Sequence, residues 1–317
     1  MPSIDIVIVN WNAGKQLYNC LKSITATNQD DYELNRVVVV DNASTDGSAD
    51  GLGDLRLPLT LIRNSENRGF AAACNQGAKN GEADYLLFLN PDTRLFENSL
   101  VVPIRFMERP DNRNVGIVGI QLVDESGQVC RTCARFPTPG RFFSKMLGLD
   151  RLFPRVFPSH FMSEWDHGET REVDQVIGAF FLVRRQIFES LSGFDERFFV
   201  YFEEVDFSYR AFQKGWKTVY LADAQAYHKG GGTSEQVKAT RLFYSLRSRI
   251  LYGYKHFSWL SATLLLLGTL FLEPFSRIAL AIARGSVKQI METLAGYMRL
   301  WLNLPSLLFG RNGSSIP

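Results

Sequence analysis

The feature that most constrains this fold is a series of short apolar runs, each followed by a polar turn. Ile4 to Val9 is continuously apolar and rich in β-branched residues, and Arg36 to Val40 repeats the pattern after a helical periodicity at Lys15 to Thr25. Such runs are typical of parallel strands that are buried on both faces. The order strand, helix, strand predicts a βαβ unit and therefore an α/β fold.

Two further strands are predicted at Leu59 to Arg63 and at Tyr85 to Leu89, with a helix at Gly69 to Asn80 between them. The second and fourth strands end in acid-containing turns, at Asp41 and Asp92. Ligands of open α/β sheets bind at the carboxyl ends of the strands, so we expect these two acids to face one crevice.

The second half of the chain is less regular. Val115 to Val123 predicts a strand, Val173 to Arg184 a strand around Gly178, and Thr218 to Tyr220 a short strand. The stretch from Arg131 to Glu172 is rich in Pro, Phe and charge and has little periodicity, which is typical of a functional loop or a disordered insert.

Length and charge limit the classes of function. A chain of 317 residues has room for one large domain and an appendage. The net charge of +2, from 35 Lys+Arg and 33 Asp+Glu, gives no global case for a nucleic-acid partner. No signal-peptide pattern opens the sequence, so we expect a cytoplasmic N-terminus, and the four scattered cysteines are expected to be reduced.

The C-terminal part has a different composition. Phe257 to Leu272 carries no charge over 16 residues and is closed by Glu273-Pro274, which is shorter than the roughly 18 to 20 residues of a spanning helix. Basic residues and large apolar residues alternate beyond it. We expect a catalytic domain at residues 1–235 and a helical segment at 236–317. That segment would lie on the inner membrane surface or, alternatively, would form a helical subdomain or a homodimer interface.

Two residues are candidate metal ligands. Asp92 stands at a strand end, where its carboxylate could bind a divalent cation, and His228 could add a nitrogen ligand. This mixture suits Mn²⁺ better than Ca²⁺. The alternatives are a turn-forming role for Asp92 and a hydrogen bond from the His228 ring to a carbonyl group.

Three residues are candidates for nucleotide recognition. Asp41 could accept a hydrogen bond from a base or a ribose. Arg68, just before a helix that contains Asn75, suits a phosphate, although a surface salt bridge would also explain the arginine. Asp46 is better explained as a turn or capping residue.

The densest acidic signal is Glu203, Glu204 and Asp206, which lie among several aromatic residues. Mutual repulsion and desolvation should raise at least one carboxyl pKa toward that of a useful general base. The alternative is an acidic helix start with Asp206 paired to Arg210, and this explanation fits Asp206 better than Glu204.

Together these residues offer a neutraliser for a diphosphate, a holder for a nucleoside and a base for a hydroxyl group. In order and spacing, six segments resemble family 2 glycosyltransferases, and within them the rhamnosyltransferase-like branch that builds bacterial cell-surface polysaccharides. The segments are Val7 to Asn12, Val40 to Ser48, Asn67 to Gly77, Leu89 to Thr93, Gly193 to Arg210 and His228 to Ser234.

The resemblance implies a GT-A fold, in which helices flank a Rossmann-like, mostly parallel sheet, followed here by a C-terminal helical extension. It also implies an inverting mechanism, a nucleotide-sugar donor and a divalent metal, Mn²⁺ or Mg²⁺. Asn90-Pro91-Asp92 stands where such enzymes often have Asp-x-Asp, so only Asp92 is carried over as a metal ligand. Glu204 stands where the family commonly has an aspartate base. The residues assigned to the donor are Asn10, Asn12, Asp41, Arg68, Asn75, Asn90 and Gly178.

Several alternatives stay open at the level of sequence. A dTDP-rhamnose donor rests on the resemblance alone, and a UDP-linked galactofuranose or N-acetylhexosamine is the alternative. The acceptor would be a lipid-linked or polysaccharide sugar. A nucleotidyltransferase usually needs a glycine-rich basic loop after its first strand, and Asn10 to Lys15 matches that loop poorly. A non-catalytic nucleotide-binding or glycan-binding protein would follow if the acidic cluster paired internally.

Overall fold

The computed structural model describes residues 1–230 and 238–309. The strands in these residues are β1 (Ser3–Asn10), β2 (Glu33–Asp41), β3 (Leu59–Arg63), β4 (Tyr85–Leu89), β5 (Thr93–Leu95), β6 (Val115–Val123), β7 (Cys133–Ala134), β8 (Arg171–Val173), β9 (Gln175–Val176), β10 (Phe180–Arg184) and β11 (Lys217–His228). The α-helices are α1 (Lys15–Ile24), α2 (Phe70–Ala78), α3 (Val101–Glu108), α4 (Pro139–Met146), α5 (Leu149–Leu152), α6 (Arg185–Ser190), α7 (Glu203–Gln213), α8 (Lys238–His256), α9 (Trp259–Leu267), α10 (Glu273–Ala283) and α11 (Val287–Phe309).

One mixed sheet carries the site. Its strand order is β3-β2-β1-β4-β10-β6-β11-β5, with β8 paired to β11. The first four strands in this order are parallel to one another. β10 is antiparallel to both β4 and β6, β6 and β11 are parallel, and β5 is antiparallel to β11. The predicted α/β fold with a mostly parallel sheet is confirmed.

Strand direction explains why distant residues meet. β1, β2 and β4 run the same way, so their carboxyl ends share one edge, and β10 and β5 begin at that edge because they run in the opposite direction. The register places Asn10 opposite Asp41 and Phe180 opposite Leu89. The apolar runs of β1, β2 and β4, which are buried in the hydrophobic core, hold this edge in place.

Three predictions for the second half are wrong in detail. The strand expected over Val173 to Arg184 is divided: β8 ends at Val173, β9 pairs with β7 in a separate two-stranded sheet, and residues 177–179 separate β9 from β10. The short strand expected at Thr218 to Tyr220 is the start of the twelve-residue β11, whose two halves pair with different neighbours. The stretch from Arg131 to Glu172 is not irregular throughout, because it contains α4, α5 and the β7 strand.

The chain forms two compact units. The first comprises Met1–Arg135, Ser163–Glu196 and Glu203–Thr233, and the second comprises Phe136–Met162, Arg197–Phe202 and Ser234–Pro317. The boundary expected after residue 235 lies outside the described residues, and the proposed division at that point stays a prediction. Two segments of the second unit precede it.

The second unit is helical. Phe243, Leu246 and Ile250 of α8 pack with Tyr297 and Leu300 of α11 in its main core. A smaller cluster joins Phe142 and Met146 of α4 to Leu265 of α9. These contacts give the C-terminal helices a core of their own.

The sequence predicted that the apolar run is closed by Glu273-Pro274, but the helix continues past these residues. A π-helical turn at Gly268–Leu272 leads directly into α10, and such a turn accommodates the backbone donor that Pro274 lacks. Arg249 and Arg277 neutralise the buried Glu273 carboxylate. By length and composition, the resulting helix Trp259–Ala283 is the one candidate for a membrane-spanning helix in the described residues, and 39% of its most apolar window is buried inside the protein.

Gly77 tests the packing of α2 on the sheet. A Cβ atom there would lie 2.4 Å from Cγ1 of Val7 and 3.1 Å from Cγ2 of Val40. Alanine improves helix propensity by about 1 kcal/mol, but overpacking costs about 1–3 kcal/mol. We therefore expect Gly77→Ala to lower the free energy of unfolding by about 1 kcal/mol, measured by chemical denaturation. Gly53→Ala, where a Cβ would meet nothing within 4 Å, is the control and should not destabilise the protein. Equal stability of the two variants would contradict the packing.

Candidate active site

The ends of β1 and β2 carry a cluster of polar side chains. The buried Asn10 amide donates to Oδ1 of Asp41 at 2.8 Å and to the hydroxyls of Ser44 and Ser48 at 3.0 and 2.9 Å. Arg63 lies 3.9 Å from the other Asp41 oxygen. The Oδ1 atom of Asn10 is buried and has no hydrogen-bond partner among the described residues. An unsatisfied buried acceptor beside a carboxylate suits a ligand that brings N–H or O–H donors.

The loop after β2 is shaped by Asn12 and Asp46. Asn12, with φ of 52°, accepts a hydrogen bond from the backbone N–H of Thr45 at 2.8 Å. Asp46 accepts from the backbone N–H groups of Gly14 and Ser48 and from the Ser48 hydroxyl. Desolvation opposes ionisation of Asp46, but these hydrogen bonds outweigh it and lower the pKa. Asp46 and Asn12 therefore both hold the conformation of this loop through hydrogen bonds to its backbone.

Asp92 and His228 are brought together by strand pairing. β5 begins with Thr93, which is directly opposite His228 in the antiparallel register with β11. Nε2 of His228 consequently lies 3.4 Å from Oδ1 of Asp92, and both side chains are largely buried. The described residues contain no group of three or more His, Cys, Asp or Glu side chains that could hold a metal ion. An oxygen and a nitrogen donor side by side fit a divalent cation that takes its remaining ligands from substrate and water.

Asn90 and Gly178 lie on adjacent connections at the same edge. The backbone N–H of Asn90 donates to the carbonyl of Ala179 at 3.1 Å. A Cβ atom on Gly178 would touch only Phe70, at 3.9 Å. Contacts within the chain therefore do not require glycine at this position, which leaves room for a ligand to approach the backbone.

Arg68 and Asn75 have different environments. Arg68 is exposed and has no hydrogen bond or ion pair with any residue in the described ranges. The Asn75 side chain is engaged with the turn before α7: it donates to the Phe194 carbonyl and to Glu196, and accepts from the Phe194 N–H. Arg68 is thus free to meet an anion, whereas Asn75 holds a turn in position.

Glu203 and Glu204 begin α7 as an acidic pair, in which Glu203 is buried and Glu204 is half-buried. The Oε2 atoms of both are buried without a hydrogen-bond partner in the described part of the chain. Burial, and then the neighbouring Glu204 carboxylate, raises the pKa of Glu203 well above its usual range. Burial also raises the pKa of Glu204, against backbone hydrogen bonds that lower it. Carboxyls that have a raised pKa and one buried oxygen without a partner can exchange protons with a substrate.

The backbone before this pair is unusual. Tyr201 and Phe202 have φ values of 68° and 73°, in the left-handed region that large side chains rarely adopt. Strain of this kind is typically retained at functional sites. α7 packs against β9, the strand that leads to Gly178. The helix that carries the acidic pair is therefore held next to the connection from β9 to β10, which contains Gly178.

Asp206 has a structural role. It is fully buried, and Nε of Arg210 donates to its Oδ2 at 2.8 Å. The same guanidinium donates to the carbonyls of Leu191 and Gly193. The alternative explanation by an i, i+4 ion pair holds for Asp206, while Glu203 and Glu204 have no such partner among the described residues.

Several amides and hydroxyls around this polar cluster were not singled out from the sequence as candidate site residues. Asn42 donates to the Gly69 carbonyl, and Asn64 links Asn42 to Gln76, which ties the end of β2 to the start of α2. Ser44 and Ser48 hold Asn10. Asn42, Ser44, Ser48 and Gln76 lie in segments that carried the family resemblance, whereas nothing in the sequence marked Asn64.

The sequence model described as "Glycosyl transferase family 2" matches residues 5–192, more than half of the chain, so the chain belongs to this family of glycosyltransferases. N-acetylglucosaminyl-diphospho-decaprenol L-rhamnosyltransferase of Mycobacterium tuberculosis (strain ATCC 25618 / H37Rv) is 26% identical over 274 residues, covering 82% of this chain and 87% of that protein. The O-antigen chain rhamnosyltransferase WbaN of Salmonella anatum is 23% identical, covering 74% and 69% respectively. The resemblance to the rhamnosyltransferase-like branch is confirmed.

Solved structures show the same fold. The mannosyltransferase PcManGT from Pyrobaculum calidifontis, in complex with GDP-Man and Mn²⁺, gives a TM-score of 0.53 at 18% identity, covering 97% of this chain and 85% of that chain. Residues 1-349 of S. aureus TarS, in complex with UDP-GlcNAc, give 0.55 at 17% identity, covering 98% and 87%. The expected GT-A fold is confirmed by these likenesses, which at such identities concern the fold alone.

Glu203 lacks an ion-pair partner among the described residues and Asp206 has one, and this difference can be measured through the free energy of unfolding. The raised pKa of Glu203 means that its contribution to stability is complete below about pH 4.5 and is lost as the pH rises toward the folded-state pKa. Glu203→Gln should therefore raise the free energy of unfolding at pH 8 but not at pH 4, by about 1.4 kcal/mol per unit of pKa shift. Denaturant titrations at the two pH values measure this.

Asp206→Asn is the matched control three residues away. It removes one partner of a buried ion pair and should destabilise the protein by about 3–5 kcal/mol at neutral pH. A destabilising effect of Glu203→Gln at pH 8 would show that Glu203 is held ionised by a stabilising partner.

Proposed function

We propose that this glycosyltransferase moves L-rhamnose from dTDP-rhamnose to a lipid-linked or polysaccharide acceptor, with inversion at the anomeric carbon. The observation that carries the proposal is the acidic pair Glu203 and Glu204, whose Oε2 atoms are buried without a hydrogen-bond partner among the described residues, in a GT-A domain whose sheet edge presents Asp41, Asp92 and His228. The rhamnosyltransferase names of the relatives support the choice of sugar, and the decaprenol-linked acceptor of one supports the choice of acceptor.

In this proposal the nucleoside lies against the ends of β1 and β2. Asp41 accepts from the N–H of the base, and the free Oδ1 of Asn10 accepts a second hydrogen. Asn12 keeps the loop open toward the ligand, Arg68 pairs with a phosphate, and Gly178 leaves room for the sugar.

The diphosphate end belongs at Asp92 and His228. These two side chains would hold Mn²⁺ or Mg²⁺, with Asn90 shaping the turn between them and β4. A divalent cation bound there supplies neutralisation of the charge that develops on the departing diphosphate.

Glu204 is the proposed general base. Its raised pKa, caused by burial, brings proton affinity closer to neutral pH, which a base needs in order to accept a proton from a hydroxyl. The acceptor oxygen forms a bond to the anomeric carbon, the bond from that carbon to the diphosphate oxygen breaks, and dTDP leaves. Glu203 and Asp206 support the base: the Glu203 carboxyl is its acidic neighbour, and Asp206 holds α7 in place through its ion pair with Arg210.

The place of action proposed here is the cytoplasmic face of the cell membrane. A lipid-linked acceptor would be presented there, and the helices of the second unit carry the apolar residues that a peripheral protein needs. In the same proposal, residues 1–235 form the catalytic domain.

A donor panel tests the function. Wild-type protein with Mn²⁺ should hydrolyse dTDP-rhamnose faster than UDP-galactofuranose or UDP-N-acetylglucosamine, as measured by nucleotide release.

Glu204→Gln should reduce the transfer rate by about 10²- to 10⁴-fold, because the proton acceptor is lost, while the affinity for dTDP is unchanged. Glu172→Gln, at an exposed carboxylate of the same unit, is the control.

Preference for a UDP-sugar would change the donor to the galactofuranosyl or N-acetylhexosaminyl alternative. Nucleotide binding without turnover of any donor would favour a binding protein. Full activity of Glu204→Gln would remove Glu204 from the role of base.

Calorimetry tests the metal ligands. Asp92→Ala and His228→Ala should each weaken Mn²⁺-dependent binding of dTDP by about tenfold or more, since each removes one of two protein donors. The exposed Asp54→Ala is the control. Binding and turnover that are unchanged by a chelator would contradict a metal at this pair.

A further inference from the structure

One face of α11 is apolar and uncovered. Val287, Met291, Leu294 and Met298 recur at intervals of four, three and four residues, and all are exposed. The opposite face, with Tyr297, is buried in the core of the second unit. α11 is therefore apolar on two sides, and the protein buries only one of them. The exposed apolar side is suited to bind another apolar surface.

The helix from α9 to α10 carries a second uncovered stripe. The exposed Phe271 ring lies 5.3 Å, between ring centroids, from the ring of Trp301 on α11, which joins the two stripes into one surface. We call this surface the apolar platform. Its residues are Leu260, Leu264, Leu267, Phe271, Phe275, Val287, Met291, Leu294, Met298, Trp301 and Leu302.

The charge of the chain is divided between the two units. The second unit contains 15 Lys+Arg and 4 Asp+Glu, a net charge of +11, whereas the first contains 20 and 29, a net charge of −9. Exposed basic residues flank the platform, among them Arg284 and Lys288. The overall net charge of +2 conceals this division.

We propose that the apolar platform docks on an anionic phospholipid bilayer and lies in its interface. If two copies of the chain met through their platforms, two units of charge +11 would face each other, and their repulsion would oppose association. An anionic leaflet instead attracts the second unit of each copy. Large apolar and aromatic residues with flanking cations are the composition of interfacial helices. This inference deepens the proposed function, on which it rests for the lipid-linked acceptor.

Charges within the helix Trp259–Ala283 favour the interface over a span. Glu273 and Arg277 lie in its second half, and Glu273 is bound by Arg249 from α8. Arg277 keeps 38% of its side chain exposed. A span would take this three-residue ion network into hydrocarbon, where unpaired charge is strongly unfavourable, whereas an interfacial helix leaves its polar side in water.

Vesicle co-sedimentation of the full chain tests the proposal. Wild-type protein should bind vesicles of phosphatidylglycerol and phosphatidylcholine at least tenfold more tightly than pure phosphatidylcholine vesicles, and high salt should reduce the difference. The double variant Leu294→Gln with Met298→Gln changes apolar contact without charge, and should lose at least tenfold in affinity. Phe96→Gln, at an exposed apolar residue of the first unit, is the matched control and should bind like wild type.

Charge reversal tests the electrostatic part. Arg284→Glu with Lys288→Glu should weaken binding to anionic vesicles at least tenfold and leave binding to neutral vesicles unchanged. Hydrolysis of donor in solution should be unaffected in every variant, because these residues lie outside the proposed catalytic machinery. Vesicle binding without any donor hydrolysis would refute the proposed function and keep the docking surface.

Three outcomes would overturn the docking proposal. Equal binding to neutral and anionic vesicles would remove the charge attraction. A wild-type dimer that becomes monomeric in the Leu294→Gln, Met298→Gln variant would identify the platform as an interface between copies. Retention in the membrane after alkaline carbonate extraction would indicate a span.

Discussion

The antiparallel pairing of β5 with β11 is the constraint on which the candidate site depends. It sets Thr93 opposite His228 and thereby brings the Asp92 carboxylate beside the His228 ring, although the two residues are far apart in the sequence. The pairing requires a long β11, because β6 pairs with it along most of its length, β8 pairs near its start and β5 pairs with its last three residues. A short strand ending near Tyr220 would leave His228 in a loop, with no defined distance from Asp92.

Acidic residues of this chain differ in role because they differ in partners. Asp206 and Glu203 lie on one helix and are both buried, yet Arg210 satisfies the first and nothing among the described residues satisfies Oε2 of the second. A buried carboxyl without a donor favours its protonated form, whereas one held by a guanidinium stays charged. Burial alone therefore does not identify a functional acid. The presence or absence of a hydrogen-bond partner distinguishes the structural Asp206 from Glu203.

The two compact units also differ in the kind of surface they present. The first is acidic overall, with its apolar residues concentrated in the sheet core, and the second is basic with exposed Leu, Met, Phe and Trp side chains. A soluble enzyme has no need of a large uncovered apolar surface, which would promote aggregation. An enzyme whose acceptor is held in a bilayer has a use for one, and this agrees with the acceptor named for the mycobacterial relative.

The sequence by itself determined the α/β class, the positions of β1 to β4 and β6, and the family, because continuous β-branched runs and acid-containing turns are local signals that survive without tertiary context. It also placed Asp41, Asp92, Glu204 and His228 in motifs. Only the tertiary structure decided the break at residues 177–179, the length of β11, the helices between Arg131 and Glu172, and the continuation of the apolar helix past Pro274. These features depend on pairing and burial between residues far apart in the chain. For the same reason the engagement of Asn75 by Phe194, and the division of charge into −9 and +11, could not be read from composition.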